Sequence, residues 1–366
     1  MKPALALLLQ LTTPGRAPDE AAVQQQADKM APADWPILAQ GLKQQRVEAL
    51  AGRTLEACPS VTVPDDFRES LRKVGHRNQL QAMKMVAEFR AISAACGAKG
   101  VKVVPLKGVD LVQRVYAHPG MRPFEDMDLF VRETDLTVVV RALRKMGYRT
   151  PARLLPHRLL KTFHFHLPLW NKEKSIFVEV HWKLADTHSL SPGSEELVWQ
   201  AIDEARGPYP HLPDPLYACY LALHLSKHGY MNARLAAHSR GRELALHPFA
   251  ELRLIWFVDL CHLLARVEGG PSAVLEMAES LGCGPAVDHS LAICRTLWAN
   301  APVVLQREPT GEGLLERRIK NRILTRMLKD LDAGEWPSGD LPWFLRTNKF
   351  LHVRPVRLLE LGGRAS

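Results

Sequence analysis

The sequence predicts an α+β fold in which a small mixed sheet lies between two helical segments. Apolar residues recur at helix-like intervals up to residue 100, alternate in short β-branched runs over residues 101–194, and return to helix-like blocks from residue 195. A chain of 366 residues is long enough for two or three domains. We therefore divide it into a helical N-terminal region (1–100), a core (101–194) and a helical C-terminal region (195–366).

The N-terminal region has the apolar spacing of helices. The segment CPSVTVPDD, Cys58 to Asp66, contains two prolines and predicts a connection between two helical blocks. The residues that recur at helical intervals are Trp35, Ile37, Leu38, Leu42, Leu71, Leu80, Met83, Phe89 and Ile92.

The period changes at Val101, where VKVVP predicts a short strand. The next segment, LKGVDLVQRVY, predicts a turn into a helix, AHPGMRP a loop, and DMDLFV a second strand. Thr134 and Asp135 are placed to begin a helix that Gly147 ends. The runs FHFHLPLW and SIFVEVHW flank the polar turn NKEK, which predicts a hairpin with His164 and His166 on its exposed side.

The C-terminal region contains apolar blocks around residues 215–228, 250–266, 273–281 and 286–298, which predict further helices. The charged stretch at 240–243 predicts an exposed loop. The basic amphipathic stretch ERRIKNRILTRMLKD predicts a solvated helix packed on the body, with a nucleic-acid contact as the alternative.

Composition is that of a soluble globular protein, with 46% apolar and 24% charged residues. The net charge of +9 favours anionic partners such as nucleotides. Six cysteines without a CxxC pair indicate a reducing compartment. No apolar run has the length of a membrane span, and the start, MKPALALLLQLTTPG, predicts a helix more than a signal peptide. We expect a cytoplasmic protein without a membrane partner.

Two strands carry acidic residues on one face. On DMDLFV, Asp126 and Asp128 point to the side opposite the apolar Met127 and Leu129. On IFVEVHWKL, the polar face carries Glu179, together with His181 and Lys183. If these strands are neighbours, three carboxylates converge, and their repulsion calls for a divalent cation, Mg²⁺ or Mn²⁺. The alternative is a solvent-facing sheet with scattered charges.

The turn before these acids suits a phosphate. Gly108 lies directly after a strand and before a helix, where glycine allows a close approach of the backbone and helix amides attract phosphate oxygens. Lys107 adds a positive charge beside it. Strand–glycine–helix turns are common, so this signal is weak by itself.

Taken in order, PLKGVDLVQRVY, GMRPFEDMDLFV, LRKMGY and VEVHWKL resemble the nucleotidyltransferase superfamily of the DNA polymerase β type. Within it, the pattern is similar to uncharacterised bacterial nucleotidyltransferases that carry LKG, R…DIDLLV, GY and a later D/E-x-HW. The similarity spans Val101 to Leu184 and continues more loosely through LALHLSKH and WFVDL. It implies a nucleotidyltransferase core over residues 101–194.

The resemblance also implies roles for individual residues. In the superfamily, a glycine turn holds the triphosphate, two acids of a D-x-D strand bind metal, and a third acid on a following strand completes the site. These positions are Gly108, Asp126, Asp128 and Glu179. The implied cofactor is Mg²⁺ (or Mn²⁺), and the implied substrate is a nucleoside triphosphate, with ATP expected first.

Two departures from the superfamily pattern affect phosphate binding. Lys107-Gly108-Val109 stands where the superfamily usually has Gly-Ser or Gly-Gly, so a hydroxyl is missing and Lys107 is its expected substitute. The longer loop before Asp126 brings Arg122 near the acids. We expect Arg122 to bind phosphate; the alternative is a pair with Asp126 or Glu125.

Several residues are candidates for the acceptor pocket or for supporting the acids. His181 can orient Glu179, contact substrate or transfer a proton, or it can serve as a structural hydrogen-bonding group. Lys183 lies on the same face. His224 and His228 are four residues apart, which we interpret as a helix face lining the cleft, with a zinc site as the alternative. Asp259 faces the cleft or forms a buried pair.

The expected reaction is transfer of a nucleoside monophosphate from a nucleoside triphosphate to a hydroxyl of a small-molecule or peptide acceptor, with a nucleic-acid acceptor less favoured. One alternative is a catalytically inactive nucleotidyltransferase fold that binds RNA or protein. Another is a metal-dependent hydrolase that uses His224 and His228.

Overall fold

The structure is a computed structural model that describes residues 3–15, 17–150, 165–185, 190–226 and 253–298. It contains one four-stranded mixed sheet with helices before and after it, which confirms the predicted α+β class. The stretches at 240–243 and 316–330, together with His164 and His228, lie outside the described residues.

Five helices precede the sheet. Helix α5 is the longest, with 33 residues, and follows the proline-containing connection predicted from the sequence. Its first turn carries Asp65 and Asp66, whose negative charges favour a helix N-terminus. The five helices are α1 (Pro3–Leu11), α2 (Glu20–Ala27), α3 (Asp34–Gln44), α4 (Glu48–Ala57) and α5 (Asp65–Gly97).

Not every apolar residue at helical spacing is buried. Leu80 and Met83 of α5 are 69% and 60% exposed, and Ile37 of α3 is also exposed. In contrast, Phe89 and Ile92 lie in the core. Periodicity therefore identifies the helices correctly but assigns their buried faces imperfectly, since Leu80 and Met83 are exposed although their neighbours Ala82 and Met85 are buried.

The sheet has the strand order β1-β2-β4-β3, so the two acid-bearing strands are its central neighbours. β2 pairs with β4 in parallel, whereas β1 with β2 and β3 with β4 are antiparallel. The strands are β1 (Val104–Leu106), β2 (Asp126–Phe130), β3 (His166–Asn171) and β4 (Ile176–His181). The predicted hairpin is confirmed as β3 and β4.

One face of the sheet packs on α5 and on helix α7. This face is built from the alternate residues of β2 and β4 that the sequence assigned to the core, and Trp182 joins them as predicted. Its buried residues include Met127, Leu129, Val178, Val180 and, from α5, Phe89 and Ile92. On the other face, Phe130 of β2 stacks on Trp199, with ring centroids 4.8 Å apart.

Two helices lie within the core segment. Helix α6 (Gly108–Arg114) follows β1 directly, and helix α7 (Leu136–Lys145) follows a short 3₁₀ turn at Glu133–Asp135. Asp135 stands at the N-cap of α7, so the helix starts where the sequence predicts. The side chain of Asp135, however, makes no capping hydrogen bond. Gly147, with φ of 92°, follows its C-terminus.

The C-terminal helices pack around α9, which faces the sheet region. Helix α9 contacts α10, α11 and α12, and its Asp214 lies 3.2 Å from Arg114 of α6. The helices are α8 (Ser194–Glu204), α9 (Asp214–Ser226), α10 (Leu254–Leu264), α11 (Gly270–Leu281) and α12 (Gly284–Leu297). All six cysteines are buried free thiols. Among the described helices, each is too short or too polar to cross a membrane.

Candidate active site

Asp128 and Glu179 are direct pairing partners across the parallel strands β2 and β4. Because paired residues in a sheet project to the same face, their carboxylates meet on one side, as the sequence predicted for neighbouring strands. Together with His181, they place one ligand atom each within 4.8 Å of one another. We call Asp128, Glu179 and His181 the Asp–Glu–His cluster.

The cluster is tightly connected by His181. Its Nε2 atom lies 2.9 Å from Oδ1 of Asp128 and 3.5 Å from Oε2 of Glu179. Asp128 is only 2% exposed, and His181 is also buried. His166, the β3 partner of His181, lies with its Nε2 3.9 Å from Oε2 of Glu179. The prediction that His166 lies on the exposed side of the hairpin is therefore wrong, since its ring faces the cluster.

Lys107 neutralises the second oxygen of Asp128. Leu106 of β1 pairs with Asp128 of β2, which places Lys107 beside the cluster, and its Nζ lies 2.9 Å from Oδ2 of Asp128. The backbone of Lys107 has φ of 49° and ψ of −121°, a conformation that favours glycine. The hydroxyl of Tyr217 donates a hydrogen bond to the Lys107 carbonyl at 3.3 Å, which helps to hold this turn.

Burial and neighbouring charges separate the carboxyl groups. Burial raises the pKa of Asp126 to about 6; Asp128 adds to the increase, and Lys107 opposes it. For Asp128, burial also favours the neutral form, but Lys107 and His181 outweigh it and hold the pKa of Asp128 well below its ordinary value. Two carboxyls on the same strand thus have opposite shifts, because only one of them has close cationic partners.

The pKa values of the remaining groups depend on burial and on their contacts with one another. Burial opposes ionisation of Glu179, yet the hydrogen bond from His181 and the nearby His166 keep the pKa of Glu179 at about 2. Burial lowers the pKa of His181, but its hydrogen bonds to Asp128 and Glu179 raise it overall. Burial also disfavours charged Lys107, whose pKa is nevertheless raised by Asp128. These shifts therefore arise from the close contacts among Lys107, Asp128, Glu179 and His181, which oppose the effect of burial.

A family model for uncharacterised nucleotidyltransferases matches residues 31–299, which include the whole sheet and the Asp–Glu–His cluster. The chain belongs to this nucleotidyltransferase family. No curated protein and no solved structure shows significant similarity to it. The match covers most of the chain and confirms the uncharacterised nucleotidyltransferase family predicted from the sequence, whereas the placement in the DNA polymerase β-type superfamily stays a prediction.

Gly108 begins α6 beside the cluster, and an aromatic ring occupies the space that a side chain at this position would need. A Cβ atom at Gly108 would lie 2.5 Å from Cγ and Cδ2 of Phe124. Gly108 is buried, so it allows Phe124 to pack on the start of the helix. The predicted contact of Gly108 with a phosphate stays a prediction.

Arg122 lies in a buried ion pair, and its partner comes from the C-terminal helices. Its Nη2 is 2.9 Å from Oδ2 of Asp259 in α10, and the hydroxyl of Tyr116 donates to Oδ1 of Asp259 at 2.7 Å. Arg122 thus makes its ion pair with Asp259, and Glu125, one of its two alternative partners from the sequence, pairs with Arg46. The alternative that placed Asp259 in a buried pair is confirmed. Phosphate binding by Arg122 stays a prediction.

The sequence reasoning missed Tyr220 of α9. Tyr220 is buried close to the cluster, and the pKa of its phenol is raised overall. Burial is the main cause, Asp128 and Glu179 add to the increase, and Lys107 opposes it. Tyr217 precedes it by three residues, and their rings stack with centroids 6.1 Å apart. The spacing of these tyrosines along the predicted helix marks one face and was the available signal.

The other predicted pocket residues are only partly placed. His224 lies on α9 with its ring 4.7 Å from that of Trp256 in α10. Lys183 follows β4 and is partly exposed. Asp126 does not belong to the three-residue group of candidate metal ligands among the described residues, although it lies on the same strand face as Asp128.

Proposed function

We propose that this chain is a metal-dependent nucleotidyltransferase of the DNA polymerase β type. It moves a nucleoside monophosphate from a nucleoside triphosphate to a hydroxyl of a small-molecule or peptide acceptor. The observation that carries the proposal is the direct pairing of Asp128 with Glu179 on central parallel strands, beside the turn that begins α6. The division into regions 1–100, 101–194 and 195–366 remains part of this proposal.

The cluster fits a divalent cation. Two carboxylates and an imidazole present ligand atoms within 4.8 Å of one another, and buried carboxylates need a positive partner. Asp128 and Glu179 would hold the ion, with Asp126 as the further acid expected from the resemblance. When bound, the ion supplies charge neutralisation for the phosphates and polarises the reacting phosphoryl group.

The reaction exchanges a phosphoanhydride bond for a phosphoester bond. The acceptor hydroxyl oxygen forms a bond to the α-phosphorus, the bond between the α-phosphorus and the bridging oxygen breaks, and pyrophosphate leaves with that oxygen. The hydroxyl proton passes to a carboxylate of the site; Glu179 either accepts it or only completes the metal site. The residues act mainly by positioning and by stabilising negative charge, as in other phosphoryl transfers.

The triphosphate would lie against the turn at Lys107 and the start of α6. The Lys107 ammonium is 2.9 Å from Asp128, so phosphate oxygens that approach the cluster meet a positive charge held at its edge. Arg122 is less suited than Lys107 to bind phosphate, because Asp259 already neutralises the charge of Arg122. We assign Arg122 to holding the loop before β2 and retain a phosphate contact only as the less direct role.

The acceptor would be bound by the C-terminal helices. Helix α9 brings Tyr220 to the charged cluster, and His224 lies one turn farther along the same helix. Lys183 extends the polar side of β4. Side chains from these helices would suit a small molecule or the end of a peptide as the acceptor. As the nucleoside triphosphate, ATP is the first to test.

The experiment is label transfer from each of four α-³²P-labelled nucleoside triphosphates, with Mg²⁺ or Mn²⁺, to acceptors in a cell extract. We expect labelled product with the wild type and a loss of at least about 100-fold in Asp128→Asn and Glu179→Gln. Even residues that only hydrogen-bond to a metal ligand contribute about 10–100-fold, so the loss of a ligand itself should cost at least as much. Asp203→Asn is the matched control, since Asp203 is an exposed carboxylate that pairs with Lys102 at the surface.

The inactive binding module has one observation in its favour. Lys107 Nζ and His181 Nε2 each lie 2.9 Å from an oxygen of Asp128, so this carboxylate has close polar partners from the chain itself. Nucleotide binding that is independent of metal and unchanged in Asp128→Asn, without label transfer, would favour this alternative over the enzyme.

A further inference from the structure

The nitrogen in the cluster distinguishes it from a set of three carboxylates. His181 Nε2 lies 2.9 Å from Oδ1 of Asp128 and 3.5 Å from Oε2 of Glu179. Metal–ligand bonds of about 2.0–2.2 Å place neighbouring ligand atoms roughly 3 Å apart when they meet at right angles. The distances from His181 Nε2 to the two carboxylate oxygens are therefore close to those between ligands of one ion, and all three atoms lie within 4.8 Å of one another.

Lys107 determines which oxygen of Asp128 is presented. Its Nζ atom forms an ion pair with Oδ2 at 2.9 Å, and Oδ1 lies on the side of the imidazole and Glu179. Asp128 thus offers one oxygen to the cluster and the other to Lys107. The β2–β4 register fixes the backbone positions of Asp128 and Glu179, and His181 lies two residues after Glu179 on the same strand face.

We propose that His181 is a direct metal ligand, together with Asp128 and Glu179, and that the site prefers a divalent transition-metal ion over Mg²⁺. This proposal rests on the metal site of the proposed function. Mg²⁺ favours oxygen ligands, whereas imidazole nitrogen suits borderline ions such as Co²⁺ and Zn²⁺ and raises the affinity for first-row transition metals. The sequence-based expectation placed Asp126 in the set; the grouping of donor atoms contains His181 instead.

The first test is the pulsed electron paramagnetic resonance spectrum of the protein loaded with one equivalent of Mn²⁺. We expect ¹⁴N modulation from a directly bound imidazole in the wild type, and its loss in His181→Asn. His76→Asn is the matched control, because His76 is an exposed histidine on α5, away from the cluster. Absence of ¹⁴N modulation in the wild type, or its persistence in His181→Asn, would overturn the proposal.

The second test is calorimetric titration of the same proteins with MnCl₂, CoCl₂ and MgCl₂. We expect the wild type to bind Mn²⁺ and Co²⁺ more tightly than Mg²⁺. His181→Asn should lose at least about tenfold in affinity for Mn²⁺ and Co²⁺, which is the smallest effect seen when a group that hydrogen-bonds to a metal ligand is removed. Mg²⁺ affinity should change less. An equal loss for all three ions would mean that His181 only orders the carboxylates. Circular dichroism melts of each variant show whether it is folded.

The outcomes separate this inference from the proposed function. Nitrogen coupling without nucleotidyl transfer under any metal would support the ligand set and count against the enzyme. Transfer that His181→Asn retains fully with Mg²⁺ and with Mn²⁺ would support the enzyme and remove His181 from the metal site.

Discussion

Arg122 and Asp259 form a buried ion pair, with Nη2 and Oδ2 2.9 Å apart, that joins the loop before β2 to helix α10. Arg122 is 5% exposed and Asp259 1% exposed, so water contributes little to satisfying either charge. The pair lies 137 residues apart in the chain. It ties the loop before the acid-bearing strand to the C-terminal helices, which also lie within the range of the family match.

Breaking this pair on one side is expected to be strongly destabilising. Arg122→Met or Asp259→Leu should each lower the free energy of unfolding by about 3–5 kcal/mol, because each leaves a buried charge without its partner. The double variant should lose much less than the sum of the two. Urea unfolding followed by circular dichroism measures all three. Additive losses would show that the charges do not depend on each other.

The start of α6 is expected to tolerate no side chain. Gly108→Ala places a methyl group 2.5 Å from the Phe124 ring and should cost about 1–3 kcal/mol of stability. The control is Gly75→Ala in the interior of α5, where a Cβ meets no atom within 4 Å and should stabilise by up to about 1 kcal/mol. Thermal melts compare the two. A neutral Gly108→Ala would mean that Phe124 can move aside, and that the packing argument fails.

Much of the fold is predictable because its signals are local. The alternation in DMDLFV and IFVEVHW predicts both strands and their polar faces, and the acids of these strands do converge on one side. The hairpin and the position of α7 follow from turn residues and spacing of the same kind. The fold class and the polar faces of both strands therefore follow from patterns only a few residues long, whereas the pairing of Asp128 with Glu179 was expected only if these strands are neighbours.

What the sequence does not reveal depends on contacts between distant segments. The partner of Arg122 lies on α10, and Tyr220 reaches the cluster from α9, so neither follows from spacing near the acids. The orientation of His166 was misjudged because alternation gives two faces without saying which one is covered. Helix α9 covers the cluster side, and that packing is a property of the whole chain.

Tyr220 is expected to matter for activity more than for stability. Tyr220→Phe keeps the buried ring and removes only the hydroxyl beside Asp128 and Glu179, so the melting temperature should change little. A hydrogen bond from this hydroxyl to a charged substrate group is worth about 1.5–3 kcal/mol, so its loss should decrease kcat/KM roughly tenfold or more.

Tyr148→Phe is the matched control for this substitution. The Tyr148 hydroxyl donates to Oε1 of Glu88 at 3.0 Å, on the opposite side of the sheet from the cluster. Its loss should reduce stability by about 1 kcal/mol and leave kcat/KM per folded molecule unchanged. Equal kinetic effects of the two substitutions would show that Tyr220 has no special relation to the reaction.

Lys107 combines a strained backbone with a functional charge, and two substitutions separate these properties. With φ of 49° and ψ of −121°, a non-glycine residue at this turn costs about 1–3 kcal/mol. Lys107→Gly and Lys107→Ala both remove the ammonium from Asp128, but only glycine relieves the strain. We therefore expect Lys107→Gly to be more stable than Lys107→Ala by about 1–3 kcal/mol in urea unfolding.

The nucleotide kinetics of the two variants should instead be similar. Both lack the charge beside Asp128, so both should raise the KM for the nucleoside triphosphate if the ammonium binds phosphate. Stability that differs while the KM rises equally would show that this turn retains lysine, despite its strain, for the sake of the charge. An unchanged KM in Lys107→Gly would mean that Lys107 serves only to neutralise Asp128, and phosphate binding would have to be assigned to the amides that begin α6.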